Sequence, residues 1–219
     1  MISEVIRKTI EDETNNILAE NRLVAKVKSG QLDPRDFRLY LYNLKYAFSN
    51  TPPNLERAAR LAAERGHSLV SEFMLEKLSE EIGHDLWPEA DLKKTSDLAN
   101  PEGENLYVTQ ATKDLMDYTA AVVTEDPRVY LSYLTFTEYF TVLAAPQFLQ
   151  DMEDKCGIAK DKVSAIANHE ESDREHSKED FKVFDQLEMD DQLREQLVTA
   201  VKRSARLVGN AMNACVQAS

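Results

Sequence analysis

The segment His169-Glu-Glu-Ser-Asp173-Arg-Glu-His176 sets two imidazoles and a carboxylate at relative positions 0, 4 and 7. At about 100° per residue on an α-helix these positions fall within roughly 60° of one another, so the three side chains leave one face over two turns. Imidazole nitrogen with carboxylate oxygen is a ligand set for iron or manganese. Ala165, Ile166, Val183 and Phe184 extend the stripe in both directions, so this face is expected to look inward. Glu170, Glu171, Ser172, Arg174 and Glu175 suit the solvated face. The competing reading is a charged surface helix that happens to carry two histidines. Against it, the whole chain has only 4 histidines, and two of them stand here at ligand spacing.

Two further signals lie upstream. Glu81-x-x-His84 closes a helix expected from about His67 to Gly83, and a spacing of three puts both side chains on adjacent positions of one face. Glu80 is the rival ligand, but Leu69, Val70, Phe73, Met74, Leu78 and Ile82 point on average much nearer Glu81. Glu138 is the only charged residue among the 22 from Val129 to Gln150. A buried, unpaired carboxylate costs several kcal/mol, so Glu138 needs an arginine, a hydrogen-bond network or a metal. Together the three signals supply three histidines and three carboxylates from three helices. Six ligands exceed what one catalytic metal with an open position takes, and suit two metals bridged by carboxylate. Two Fe(II) ions against Glu81, Glu138 and Asp173 leave one positive charge, which is expected to attract an anionic substrate group or a reduced oxygen species.

The elements that must position these residues are helical almost throughout. Apolar residues recur at helical spacing, and Gly 6 and Pro 7 leave few residues for the turns that many short strands need. The reading is seven or eight helices in one all-α domain, residues 1–219. The first runs from about Ile2 to Lys28 and stops at Ser29-Gly30. Asp33-Pro34 opens a second that ends before Pro52-Pro53, and a third follows to about Arg65. After the His67–Gly83 helix, Asp85 to Glu104 is a long loop with one short helix at most. Further helices are expected over roughly Leu106–Val122, Asp126–Gln150, Lys160–Phe184 and Asp191–Val216. The run Val129–Gln150 is long enough for a bilayer, but Glu138, Pro146 and its polar residues make it a core helix instead.

Composition bounds the partners. Lys+Arg 26 against Asp+Glu 39 gives a formal charge of −13, which repels phosphate backbones and anionic lipid; nucleic acid and membrane surfaces are excluded as expected partners. Cys156 and Cys215 form no C-x-x-C pair, so neither a disulfide framework nor a thiolate metal site is implied and a cytoplasmic setting is expected. The N-terminus, MISEVIRKTIEDE, carries acids where a signal peptide has its apolar run.

On the pieces LEKLSEEIGHDLW (75–87), TFTEYF (135–140) and NHEESDREH (168–176), in that order and at those separations, the chain resembles the haem-oxygenase-like diiron oxidase superfamily, in particular relatives of the Chlamydia protein associating with death domains. The resemblance implies a haem-oxygenase-like helical bundle holding two Fe(II) ions (Mn possible) on Glu81, His84, Glu138, His169, Asp173 and His176. It implies O2 as co-substrate and oxidation of a small molecule, commonly an amino acid or fatty acid, by N-oxygenation or oxidative C–C cleavage. Two departures stand out. The interval from Glu81 to His84 is shorter than in the Chlamydia-type proteins. Arg22-Leu23-Val24-Ala25 stands where those proteins carry a sacrificial tyrosine, and Phe148 or a neighbour replaces their lysine.

Two other readings stay open at this point. A metal-free, thiaminase-like protein on the same bundle would rely on a cysteine or a basic pocket; Cys156 is expected in a loop and Cys215 near the C-terminus. An interaction protein or homodimer would use an exposed amphipathic helix such as Asp191–Val216. Tyr133 and Tyr139 flank Glu138 off its face and are expected to pack. Tyr40, Tyr42 and Tyr46 are expected to be core or rim aromatics, with pocket lining the alternative.

Overall fold

The computed structural model describes residues 1–98 and 105–216. Among them every regular element is helical: α1 (Ile2–Glu20), α2 (Arg22–Ser29), α3 (Pro34–Glu64), α4 (Ser68–Glu81), α5 (Leu86–Lys94), α6 (Gln110–Glu125), α7 (Pro127–Cys156), α8 (Ser164–Gln186) and α9 (Asp191–Ala214), with a short 3-10 turn at Lys160–Lys162. The expected interruption after His84 is partly ordered by α5; its Pro101 and Gly103 lie outside the described residues.

Two helix boundaries differ from the sequence reading, each for a local reason. The first helix breaks at Asn21, whose side-chain oxygen accepts the amides of Leu23 and Val24 while its Nδ2 donates to the Gly209 carbonyl of α9. An asparagine that caps a new helix outcompetes continuation of the old one. At Pro52-Pro53 the opposite happens, and α3 runs straight through both prolines. In the preceding turn Ser49 and Asn50 donate to the Tyr46 carbonyl and Thr51 to that of Ala47, and beyond it Leu55, Ala58, Ala59 and Ala62 are buried. Packing of that apolar face against α4 outweighs the amide hydrogens the prolines lack.

The hub is α7, which packs against α1, α2, α3, α6, α8 and α9. Every residue from Val129 to Phe136 is buried, which explains why this stretch is apolar on all sides rather than striped. No helix among the described residues is long and apolar enough to cross a membrane. The apolar face of α9, read from sequence as a possible partner surface, is spent inside the bundle on α1, α6 and α7.

The short α5 sets the position of α8. Asp91 is fully buried, and its carboxylate accepts the Ser164 hydroxyl and, at 2.7 Å, the Ala165 amide. A carboxylate from another element thus caps the N-terminus of the helix that carries His169, Asp173 and His176, where the backbone amides are otherwise unpaired. Arg38 of α3 in turn donates to the Leu92 carbonyl and to Thr95, tying α5 to the bundle. Replacing Asp91 by Ala leaves buried donors unmatched and should cost about 1–3 kcal/mol, read as a lower midpoint in urea unfolding. Asp91→Asn keeps one acceptor oxygen and should cost less.

Candidate metal centre

Glu81 is the last residue of α4, so it does not share a helical face with His84. Ile82 turns extended and solvent-exposed, Gly83 takes φ +92°, and the chain doubles back to bring His84 beside Glu81. The positive φ explains the glycine. The expected i, i+3 helix-face pair is therefore corrected to a pair across a turn, and Ile82 points away from the core rather than into it. His84 Nδ1 stands 3.2 Å from Glu81 Oε2, at ion-pair distance but outside hydrogen-bond geometry.

From α8, His169 comes up against this pair. Its Nδ1 lies 2.7 Å from the Ala165 carbonyl, one turn earlier. A carbonyl only accepts, so Nδ1 carries the proton and Nε2 keeps its lone pair. Burial holds the His169 pKa below the ordinary value, which favours that neutral form. Phe48 of α3 packs on the ring at 4.6 Å, and Trp87 stacks on His84 at 3.9 Å while meeting His169 edge-on at 5.0 Å. One ligand atom each of Glu81, His84 and His169 lie within 4.8 Å of one another.

A second triad forms beside the first. Glu138, Asp173 and His176 also offer three atoms within 4.8 Å of each other, the first two buried and His176 half-buried. All six candidates from the sequence thus come together, in two sets of one or two imidazoles with one or two carboxylates. Glu80, the rival of Glu81, is at the rim of the second set, its Oε2 3.3 Å from Lys77 and 3.6 Å from His176 Nε2.

Lys77 and Asp180 escaped the sequence reading. Lys77 is buried, and its Nζ is 3.1 Å from Glu138 and 3.2 Å from Asp180, itself fully buried. Both residues had a signal: Lys77 is four before Glu81 on α4, and Asp180 is four after His176 on α8. Glu138 therefore has a partner, a lysine rather than an arginine. That partner does not balance the site. Glu80, Glu81, Glu138, Asp173 and Asp180 are five carboxylates around one ammonium, so the cluster carries four negative charges when fully ionised.

The titration of these groups registers that imbalance. Burial, reinforced by Asp180, holds Glu138 well above the usual carboxylate range, and Asp180 is likewise raised by burial. Burial and the neighbouring Glu81 push Asp173 up to about 8. Burial also acts to raise Glu81, but His84 and His169 outweigh it and hold the group low. The carboxylates face one another without enough positive charge, while imidazole nitrogens converge on the same space. This donor chemistry fits two divalent cations, whose four positive charges match the deficit. The single positive charge expected from sequence is replaced by a balance of zero, because Lys77 adds one positive charge and Glu80 and Asp180 add two negative ones.

A cavity opens from this centre toward α9, lined by Tyr40, Phe48, Tyr133, Phe140, Met212 and Cys215 among others. Tyr133 and Cys215 thus line a pocket where packing or a peripheral position was expected, and Cys156 ends α7 rather than lying in a loop. Tyr139 instead packs on Phe181 and donates to Glu11.

No family model matches the chain, and no curated protein matches it. Solved structures do. A domain of unknown function with a heme oxygenase-like fold from Shewanella denitrificans aligns over 95% of this chain and 89% of its own at a TM-score of 0.81 and 15% identity. The chain has the haem-oxygenase-like fold. A TenA homologue from P. horikoshii shares this haem-oxygenase-like arrangement at a TM-score of 0.72 over 98% of both chains, with 16% identity. A CADD-like protein of unknown function from Nostoc punctiforme does so at 0.67 over 95% of this chain and 96% of its own, with 14% identity.

Raised carboxyl pKa values set the sign of the pH dependence. The folded chain holds the Asp173 proton to about pH 8, whereas the unfolded chain releases it near 3.8. The contribution of such groups to metal-free stability is therefore greatest at low pH and is lost as the pH rises through that window. Metal-free protein should melt at a lower temperature at pH 8.5 than at pH 6, and Zn(II) or Mn(II) should raise the melting point more at pH 8.5, both read by scanning calorimetry. Removing one partner of a buried ion network costs about 3–5 kcal/mol, so Lys77→Met should destabilise the metal-free protein strongly at pH 8.5 and widen the gain on metal addition.

Proposed function

We propose that this chain is an O2-activating non-haem diiron oxidase or oxygenase acting on a small organic molecule in the cytoplasm. The observation that carries the reading is the pair of buried triads around a charge deficit of four. Glu81, His84 and His169 would hold one metal, and Glu138, Asp173 and His176 the other. Ferrous iron held by these residues would contribute the electrons that O2 activation requires.

The protein's own side chains have separate tasks in this reading. The Ala165 carbonyl fixes the His169 tautomer, and Trp87 and Phe48 pack the imidazoles of the first triad in place. Lys77 keeps Glu138, Glu80 and Asp180 from repelling one another before metal arrives. The apolar cavity keeps bulk water from the reacting face. The metal-free thiaminase-like alternative would need a nucleophile, and Cys215 does line the cavity. However, burial pushes its thiol up to about 12, leaving almost no thiolate at neutral pH. The solved CADD-like and TenA homologues carry the same fold and leave the choice to the side chains.

Anaerobic Fe(II) titration tests the assignment. Two irons per chain are expected, with O2 uptake that depends on the iron. His176→Ala should retain one iron on the first triad and unchanged helical circular dichroism. Full iron content in that variant, or no stoichiometric iron in the native chain, would sink the proposal.

A further inference from the structure

The cavity beside the two triads has a volume of about 180 Å³ and is elongated. Its wall follows α3 from Phe48, which packs on His169, back to Tyr40, eight residues and about 12 Å of helix rise away. On α7 it runs from Glu138 to Phe148, about 15 Å by the same measure. The carboxylates on the wall, Glu81, Glu138 and Asp173, all belong to the metal end. The far end lies inside the bundle, where Val24 and Cys215 are buried and the Cys215 thiol is close enough to act on the titration of Tyr40. Between the ends, Ala47, Ala144, Ala145 and Ala211 leave an open lane. The polar side chains along it are already spent. Thr51, Thr137 and Thr141 donate to carbonyls in their own helices, as does the Cys215 thiol to Ala211. Asn43 donates to the Leu39 and Tyr107 carbonyls and accepts the Thr109 amide. Two lining hydroxyls make no hydrogen bond among the described residues, and they stand at opposite ends: Tyr133 in the field of Glu81, and Tyr40 beside Cys215.

We infer that this cavity takes a rod-shaped, hydrocarbon-bodied molecule about ten bonds long that carries a second, uncharged hydrogen-bonding group at the end remote from the metals, and that Tyr40 is the residue that recognises that group. The length follows from the helix rise: an extended chain advances about 1.2 Å per bond, so about ten bonds cover the distance from Phe48 to Tyr40. The polarity follows from the hydroxyl. A wholly apolar tail would leave the buried Tyr40 phenol facing hydrocarbon, whereas a hydroxyl, carbonyl or amide at the tip satisfies it. The terminal group is uncharged because no ionised side chain lines that end, and a charge there would lose its water without a counterion. Burial keeps Tyr40 protonated, so it can donate as well as accept. The far end stands on the cavity alone. Only the placing of the molecule's other end at the two triads rests on the diiron reading, and there the open positions of the cations would take an anionic or neutral head.

Calorimetric titrations at pH 7.5 on the native chain and on Tyr40→Phe test this. The variant keeps the ring, and its melting point should match that of the native chain. The metal-free protein is titrated with 1,10-decanediol, whose two ends are identical, so that either orientation puts a hydroxyl at Tyr40. Tyr40→Phe should weaken the diol about fivefold. The Zn(II)-loaded protein is titrated with 10-hydroxydecanoate and decanoate. The affinity ratio of hydroxy acid to plain acid should fall about fivefold in Tyr40→Phe, with decanoate itself unchanged. Finally, 1,14-tetradecanediol should bind no more tightly than the ten-carbon diol, although four more buried methylenes would otherwise each add affinity. No diol binding, equal diol affinity in native chain and variant, decanoate weakened as much as the hydroxy acid, or tighter binding of the longer diol would each overturn the inference. Zinc content is measured in the same samples. Protein that takes up no Zn(II) but shows the Tyr40 effect on the diol refutes the metal centre alone. Protein with two Zn(II) per chain and no Tyr40 effect refutes this inference alone.

Discussion

Five carboxylates gathered in the interior of a helical bundle, with a single ammonium among them, repel one another strongly enough to shape everything around them. In a medium of low polarizability such a group is tolerable only if its members take up protons, pair with cations or reach water. Lys77 provides one pairing and the raised carboxyl pKa values provide the protons. Cations at the two triads would replace both devices. The surrounding helices act as a frame that keeps the repelling groups from moving apart.

That frame is built by elements with little chemistry of their own. Asp91 on α5 fixes the start of α8, and Arg38 on α3 fixes α5. The turn through Gly83 lets one strand of backbone deliver both Glu81 and His84. The long α3, continuous through Pro52 and Pro53, carries Phe48 to the face of His169. Apart from the Gly83 turn, each device is remote in sequence from the residue it positions.

This distance explains what could be read from the sequence and what could not. His169, Asp173 and His176 share one helix, so their relation follows from 3.6 residues per turn alone. Glu138 stands out because everything near it is apolar. Glu81 and His84 were paired correctly but on the wrong geometry, since a residue at φ +92° leaves no trace in a hydrophobic pattern beyond the glycine itself. The burial of Lys77 depends on α7 and α8 closing over it, and helical periodicity says nothing about which charges from different helices will meet. The break at Asn21 and the continuity at Pro52-Pro53 were lost for the same reason, because Gly209 and α4 decide them.

The stack of Trp87 on His84 has a consequence for observing the molecule. The chain holds one tryptophan, and that indole touches the imidazoles of one triad and not those of the other. The ultraviolet emission of this protein is therefore a local signal rather than an average over the fold. Light from a single ring, 3.9 Å from the His84 ring, distinguishes two neighbouring sites that absorbance or bulk metal analysis would sum.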